Sequence, residues 1–488
     1  MARAAVSPAD PARVGAAVTR GSATTLAEQL VQRYAERIRQ RLLAPGARLP
    51  SVRECARHHG VSPHTVVAAY DQLQALGLVE ARRQRGFFVR PGKEAAPLGA
   101  GRAPARGLAA RPMPNSATAL IRGMFQAPGE RPMPGLGTLP AEWLDAALLA
   151  AAMRRATSKR QTEATALQYG DPAGELRLRE ALAVKLADHG IAASPQQIVT
   201  TLGATHALDI VTRTLLRAGD SVLVDEPGWS VEYARLAALG LRVLPVPRGD
   251  HGPDVAAMRR LIEAQPPAAR PRLYVTVSVL HNPTGASLSL QSAHRVLQLA
   301  QAFGFLIAED DTYAHLAPAH APRLAALDAL ERTIYISGFS KILTPNWRVG
   351  YLAAPPALVE RFIDTKLLST LTTPGSGELA MAHCLEQGWL RRHAERVVHR
   401  LAAARGRTVK LAEAHGCLFA AEPRGLFGWV DTGVDTERLA HVLLDDWLIA
   451  PGSLFHAEPR PTKLMRINFA TSQDVRFWKA LAGARSRL

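Results

Sequence analysis

The run Ser337-Gly338-Phe339-Ser340-Lys341, with Arg348 and Gly350 close behind it, has the residue types of a site that forms a Schiff base beside an anion. A lysine amine adds to an aldehyde. The hydroxyls of Ser337 and Ser340 can hold phosphate oxygens, and Arg348 can neutralise the phosphate charge. Lys341 is one of eight lysines in a chain that takes most of its basic charge from arginine, which makes the placement telling.

Other reactive or ligand-holding types recur at intervals. Tyr169-Gly-Asp-Pro-Ala-Gly174 precedes a helical pattern. Thr201-Leu-Gly203-Ala204-Thr205 joins a strand pattern to a helix pattern. A small-residue turn at a helix start favours anions, through its free N–H groups and the helix dipole. Further on stand Asp225-Glu-Pro-Gly-Trp229, His281-Asn282-Pro283-Thr284-Gly285, Glu309-Asp310-Asp311-Thr-Tyr313 and Leu464-Met465-Arg466-Ile467-Asn468-Phe469. Each motif alone is equally compatible with a helix cap or a core side chain. Their order together with Lys341 and Arg348 carries the argument.

Positioning these groups requires a rigid scaffold. Ser221–Val224, Leu273–Val277 and Phe305–Ala308 are short apolar runs that read as buried strands. Longer amphipathic stretches separate them, which predicts a parallel sheet flanked by helices. No repeat of solenoid length is present.

The first fifth of the chain has another texture. Leu26, Leu30, Tyr34, Ile38 and Leu42 recur at helical spacing, and Pro45-Gly46 ends that helix. Ser51 can cap a short helix from Val52 to His58. Gly60 makes a turn, and Ser62 caps a third helix from Pro63 to about Leu76, which Gly77 stops. Leu78–Arg82 and Gly86–Arg90 then form two strands around Arg83-Gln84-Arg85. Helix, helix–turn–helix and basic hairpin make a winged helix. Pro91 to Asn115 is rich in Pro, Gly, Ala and Arg and reads as a flexible linker.

The 488 residues suffice for two or three domains with a sizeable core. Net charge is +17, and residues 1–110 carry 17 Lys and Arg against 7 Asp and Glu. A basic N-terminal module points to a polyanionic partner, most simply double-stranded DNA. Three scattered cysteines, no apolar run long enough for a bilayer and no signal-like N-terminus predict a cytoplasmic protein without a membrane. Adjacent His58 and His59 do not share a helix face, so no metal site is expected.

Two resemblances follow. Pro45-Gly-Ala-Arg-Leu-Pro-Ser51-Val-Arg53, Gly60-Val-Ser-Pro-His-Thr65, Leu73, Gly77 and Gly86-Phe-Phe-Val89 resemble the DNA-binding domain of GntR-type regulators over residues 25–90. That resemblance implies that Arg53, Ser62, His64 and Thr65 face operator DNA, with the wing at Arg82, Arg83 and Gly86 on backbone or minor groove. Pro63 departs from the family, which often has a basic residue there.

From Tyr169 to Phe469 the ordered motifs resemble fold type I pyridoxal-5'-phosphate enzymes of the class I/II aminotransferase superfamily. The implied fold is a large α/β unit, mostly parallel sheet between helices, with a C-terminal α+β subdomain. The implied roles follow the motifs. Lys341 makes the Schiff base with the cofactor, and Asp310 pairs with the pyridinium nitrogen. Asn282 and Tyr313 hold the ring 3'-oxygen, while Trp229 stacks on the ring. Gly203, Ala204, Thr205, Ser340 and Arg348 cradle the phosphate, and Tyr169 reaches the partner subunit's cofactor. Arg466 forks onto a substrate carboxylate. The family has a second hydroxyl where Gly338 stands, and Ser337 lies one position early. The stretch Pro132–Gly137 and Trp143 match the substrate-side pattern only loosely.

A GntR-type reader fused to an aminotransferase-like domain resembles the MocR branch of bacterial regulators. The organisation expected is a disordered tail over 1–24, the reader over 25–90, the linker over 91–115 and the large domain over 116–488. Two functions compete. One is a ligand-responsive regulator, a homodimer with swapped readers that senses pyridoxal phosphate or a small amino compound. The other is an active aminotransferase with a vestigial N-terminal domain. The basic winged helix has no part in plain transamination, which favours the regulator.

Overall fold

The computed structural model describes residues 24–39, 43, 46, 48–82, 85–90, 132–165, 168–444, 446–458 and 460–488. The expected tail, all but Thr24, and the expected linker lie outside the described residues. The chain divides into two compact units, Met1–Pro132 and Met133–Leu488.

In the first unit α1 spans Leu26–Arg39, α2 Val52–His59 and α3 Pro63–Ala75. Local chemistry fixes their ends. Ser51 and Glu54 make a reciprocal capping box on α2, and Gly60 ends it with φ +63°, a conformation open to glycine. The Ser62 hydroxyl accepts from the Thr65 amide at 3.1 Å, and Pro63 occupies the first turn of α3, where a missing N–H costs nothing. Leu30, Tyr34, Cys55, Val66, Tyr70 and Leu73 form the small core. The Tyr70 hydroxyl donates to the Pro50 carbonyl at 2.9 Å, which ties α3 to the chain before α2. Strands β1 (Val79–Arg82) and β2 (Gly86–Val89) pair antiparallel, with Arg82 opposite Gly86 at the wing tip.

The second unit is built on an eight-stranded sheet. Its strands are β3 (Ile198–Thr201), β4 (Ser221–Glu226), β5 (Arg242–Gly249), β6 (Gly252–Pro253), β7 (Leu273–Thr276), β8 (Leu306–Asp310), β9 (Thr333–Gly338) and β10 (Gly350–Ala353). The order is β3-β10-β9-β8-β7-β4-β5-β6. The pairs β9–β8, β8–β7, β7–β4 and β4–β5 are parallel. The sheet is mostly parallel, with antiparallel pairing towards both of its edges, and β6 runs antiparallel to β5. β10 runs antiparallel to both β9 and β3, because the turn through Lys341 and Arg348 returns the chain directly beside the strand it left. Helices bury both faces, so β3, β7, β9 and β10 are buried along their whole length.

A second, antiparallel sheet near the C-terminus has the order β11 (Leu418–Phe419), β12 (Phe427–Asp431), β14 (Leu464–Asn468), β13 (Ala450–Pro451). Arg466 sits on the inner strand β14, opposite Trp429 on one side and Ala450 on the other. Among the described residues no helix is long and apolar enough to cross a membrane.

Candidate functional site

Four parallel strands end at one place. Asp310 is the last residue of β8, Trp229 lies just past β4, Asn282 past β7 and Lys341 past β9. Ligands of open α/β sheets bind outside the carboxyl ends of the strands, where loops diverge.

Lys341 Nζ donates to the Gly137 carbonyl at 2.9 Å. Burial pushes this amine down to about 8; the cations Arg466 and Arg348 act the same way, while Asp310 opposes them. A neutral amine is therefore accessible near physiological pH, which is what addition to a carbonyl needs. Burial also pushes the Asp310 carboxyl up to about 6, with Glu232 adding to the rise and hydrogen bonds from Thr312 opposing it. The Thr312 hydroxyl and amide both donate to Asp310 Oδ1. Tyr313 is buried, and its phenol is raised by that burial. Its ring meets Phe427 edge-on at 5.5 Å.

Arg466 is 6% exposed. Its Nη1 donates to Asn282 Oδ1 at 2.8 Å and its Nη2 to the Gly135 carbonyl at 2.7 Å. The guanidinium lies 4.6 Å from the Phe427 ring centre and 4.9 Å from that of Phe455. Burial brings it down to about 10. Its Nε is buried without a hydrogen-bond partner. A side chain added at Gly137 would come within 3.9 Å of Lys341 Nζ and of Arg466 Nη1, so the amine and the guanidinium face one space.

The anion cradle is the start of the helix Ala204–Leu215. Gly203 has φ +82°, and a Cβ there would stand 2.7 Å from Arg348 Nη2. Only glycine lets the guanidinium lie over the helix start. Arg348 donates to the Leu202 carbonyl at 2.7 Å and to Ser340 Oγ at 3.3 Å. Gly203, Ala204, Thr205, Ser340 and Arg348 are thus brought together. Ser337 is not. Its hydroxyl is fully buried and donates to the Asp311 carbonyl at 2.8 Å. The expectation that it holds phosphate fails, because alternation along β9 turns this side chain to the core.

Trp229 is half-buried and lines a small cavity with Asp310, Glu232, His281 and Asp225. Tyr169 stands apart. It is 83% exposed and lines another groove, with Thr372 to Ser376. A flat aldehyde bearing a phosphate fits this donor set: an amine, a carboxylate at the far end, an aromatic face, and a helix start with an arginine that no added Cβ obstructs.

In the winged unit Arg53, Ser62, His64 and Arg82 are exposed and Thr65 half-exposed. Ser62 and Thr65 are already joined through their hydroxyls at 2.8 Å, which holds both at the tip of α3. Arg82 pairs with Glu80 at 2.8 Å and stacks 4.6 Å from the Phe88 ring centre. Gly86 has φ +100°, and Arg83 lies outside the described residues.

Sequence reasoning missed Gly135, Gly137, Phe427, Phe455 and Glu232. The first two lie in Pro132-Met-Pro-Gly-Leu-Gly137, whose two glycines were the available signal of a close backbone approach. Nothing local marks Phe427 or Phe455, whose positions come from the second sheet.

Residues 139–481 match the family model "Aminotransferase class I and II", and residues 26–89 match "Bacterial regulatory proteins, gntR family". The HTH-type transcriptional regulator TauR of Rhodobacter capsulatus is 31% identical over 463 residues, 89% of this chain and 90% of that protein. The 2-aminoadipate transaminase of Thermus thermophilus is 28% identical over 323 residues, 64% of this chain and 79% of that one. The crystal structure of LysN, an alpha-aminoadipate aminotransferase of Thermus thermophilus complexed with N-(5'-phosphopyridoxyl)-L-leucine, superposes with a TM-score of 0.68. It is 25% identical and covers 76% of this chain and 96% of its own. The transaminase alignment covers 64% of this chain, whereas that of the regulator TauR covers 89%. The chain therefore belongs to the class I and II aminotransferase family through its large unit and, with the GntR domain in front, to the MocR-type transcription regulators.

Proposed function

We propose that this chain is a cytoplasmic, homodimeric regulator that binds operator DNA through residues 25–90 and senses an amino compound through pyridoxal phosphate in residues 116–488. Residues 91–115 join the two. The observation that carries the reading is that Lys341 Nζ and a buried Arg466, whose Nε has no hydrogen-bond partner, face the same space beside Gly137. An unsatisfied buried guanidinium edge beside a nucleophilic amine suits a ligand with a carboxylate next to an amino group.

Bound pyridoxal phosphate supplies an aldehyde and an electron-withdrawing ring. Lys341 is its covalent anchor. Asp310, kept from water, holds the proton at the ring nitrogen. Asn282 and Tyr313 meet the ring 3'-oxygen, and Trp229 covers one face of the ring. The amides of Gly203, Ala204 and Thr205, with Ser340 and Arg348, receive the phosphate. Arg348 then exchanges a carbonyl contact for a charged one, which is the stronger of the two. Tyr169, exposed on its own subunit, is free to reach the cofactor of a second copy. An effector that displaces Lys341 and engages Arg466 ties ligand binding to the state of the protein. On DNA, Arg53, Ser62, His64 and Thr65 face the operator, and the wing at Arg82, Arg83 and Gly86 meets its backbone or minor groove.

The test is operator binding by the full chain with and without pyridoxal phosphate and a panel of amino acids. Arg466→Ala is expected to keep its visible absorbance and basal DNA binding and to lose the response to the effector. A wild-type response in Arg466→Ala removes the carboxylate-sensing version of this reading. The complete set of catalytic types around Lys341 also supports slow transamination, which is measured by keto-acid formation in the same samples.

A further inference from the structure

Glu232 lies one helical turn after Trp229, on the helix Ser230–Ala238. Its side chain is 8% exposed and is paired with Arg235. It lines the same small cavity as Trp229 and Asp310. Both carboxylate oxygens are held by one guanidinium: Arg235 Nη2 reaches Oε1 at 2.6 Å and Nε reaches Oε2 at 3.1 Å. The remaining nitrogen, Nη1, donates to Thr212 Oγ1 at 2.7 Å and to Asp209 Oδ1 at 3.4 Å. Thr212 and Asp209 belong to the helix Ala204–Leu215, whose start is the anion cradle.

The helix that Trp229 caps and the helix that Gly203 caps are therefore joined through a single arginine. A forked pair of this kind is directional, so it fixes angle as well as distance.

We propose that Glu232 and Arg235 are positioning residues for pyridoxal phosphate: their clamp sets the spacing between the phosphate cradle and Trp229, and Glu232 supplies a second negative charge beside Asp310. The proposal rests on the cofactor reading above. Other groups also face Asp310. Lys341 does so from the turn after β9, and Asp311 and Tyr313 from its own strand end. His281 and Asp225 share its cavity, and Asp225 is paired with Arg248 at 2.9 Å. Of these, Glu232 is the charge that reaches Asp310 from the Trp229 helix.

The experiment uses full-length protein and pyridoxal phosphate, with wild type, Glu232→Gln, Arg235→Ala and Arg235→Lys. Three quantities are read: the dissociation constant for the cofactor, the visible circular dichroism of bound cofactor, and the pH midpoint of its visible absorbance. Arg235→Ala is expected to weaken binding about tenfold and to reduce the dichroic band, because a stacked ring held at the wrong tilt loses its fixed asymmetry. Arg235→Lys keeps the charge but loses the fork. It is expected to show the same dichroic loss, and it serves if Arg235→Ala does not fold. Glu232→Gln removes a negative charge that favours the protonated chromophore, so the absorbance midpoint is expected to fall by about one pH unit. A purely structural side chain moves the affinity and leaves that midpoint where it is. Wild-type protein that takes up no pyridoxal phosphate overturns the cofactor reading itself. Wild-type protein that does take it up, with the variants matching it in dichroism and midpoint, overturns the clamp alone.

Discussion

The winged unit and the large unit hold their functional side chains by opposite means. In the winged unit the supports are local. Ser62 holds Thr65, three residues away, Ser51 holds Glu54, and Arg82 leans on Glu80. Its reading residues are exposed, and each is placed by the helix or hairpin that carries it. In the large unit the supports are distant in sequence and buried. Arg466 is fixed by Asn282 and Gly135 and Lys341 by Gly137, while Arg348, held by the distant Leu202, stays exposed. Exposed side chains on short supports suit a partner that arrives whole and contributes its own charge. Buried side chains on long supports suit a small ligand whose chemistry needs shifted proton affinities.

The sharpest way to break this contrast is Lys341→Ala. Covalent attachment of pyridoxal phosphate, read as a borohydride-stable adduct, is expected to vanish, while DNA binding by the winged unit survives. An adduct of undiminished yield in the variant moves the site to another lysine.

Next comes pH. With the Lys341 amine at about 8, the rate of cofactor attachment should rise with pH up to that point and level off above it. The neutral amine is the nucleophile, so each unit below the midpoint costs about tenfold. Stopped-flow absorbance measures this directly. A midpoint near the ordinary lysine value, about 10.4, contradicts the enclosed amine.

Arg53→Ala should weaken operator binding by about 1–3 kcal/mol and leave cofactor uptake unchanged. Equilibrium titration on labelled operator at fixed salt checks it. Equal affinity in the variant removes α2 from the interface.

The smallest effect is local. Ser62→Ala removes the cap of α3 and is expected to cost the winged unit about 1 kcal/mol, read as a lower unfolding midpoint for that unit alone. An unchanged midpoint for the winged unit contradicts the role of Ser62 as the cap of α3.

How much of this was legible in sequence differs along the same line. The capping residues Ser51 and Ser62, the stops at Gly60 and Gly77 and the wing strands are written within a few residues of where they act, so the reader could be drawn from its sequence. Trp229, Asn282 and Lys341 each follow a recognisable strand and Asp310 ends one, which is what singled them out. Ser337 could not, since a hydroxyl in a strand faces either the site or the core, and the alternation that decides it depends on where β9 begins and ends. The course of β10, antiparallel between β9 and β3, was likewise hidden, because four buried residues read the same in either direction.

The sequence by itself determined the two modules and the order of the motifs along the large unit, because spacing and residue type act over short distances. Only the tertiary structure decided that the carbonyls of Gly135 and Gly137 hold Arg466 and Lys341, that Arg466 packs against Phe427 and Phe455, and that Arg235 joins the helix of Trp229 to the helix of the cradle. Those contacts join segments with no local signal in common, and they exist because burial of the two sheets and their helices brings the segments together.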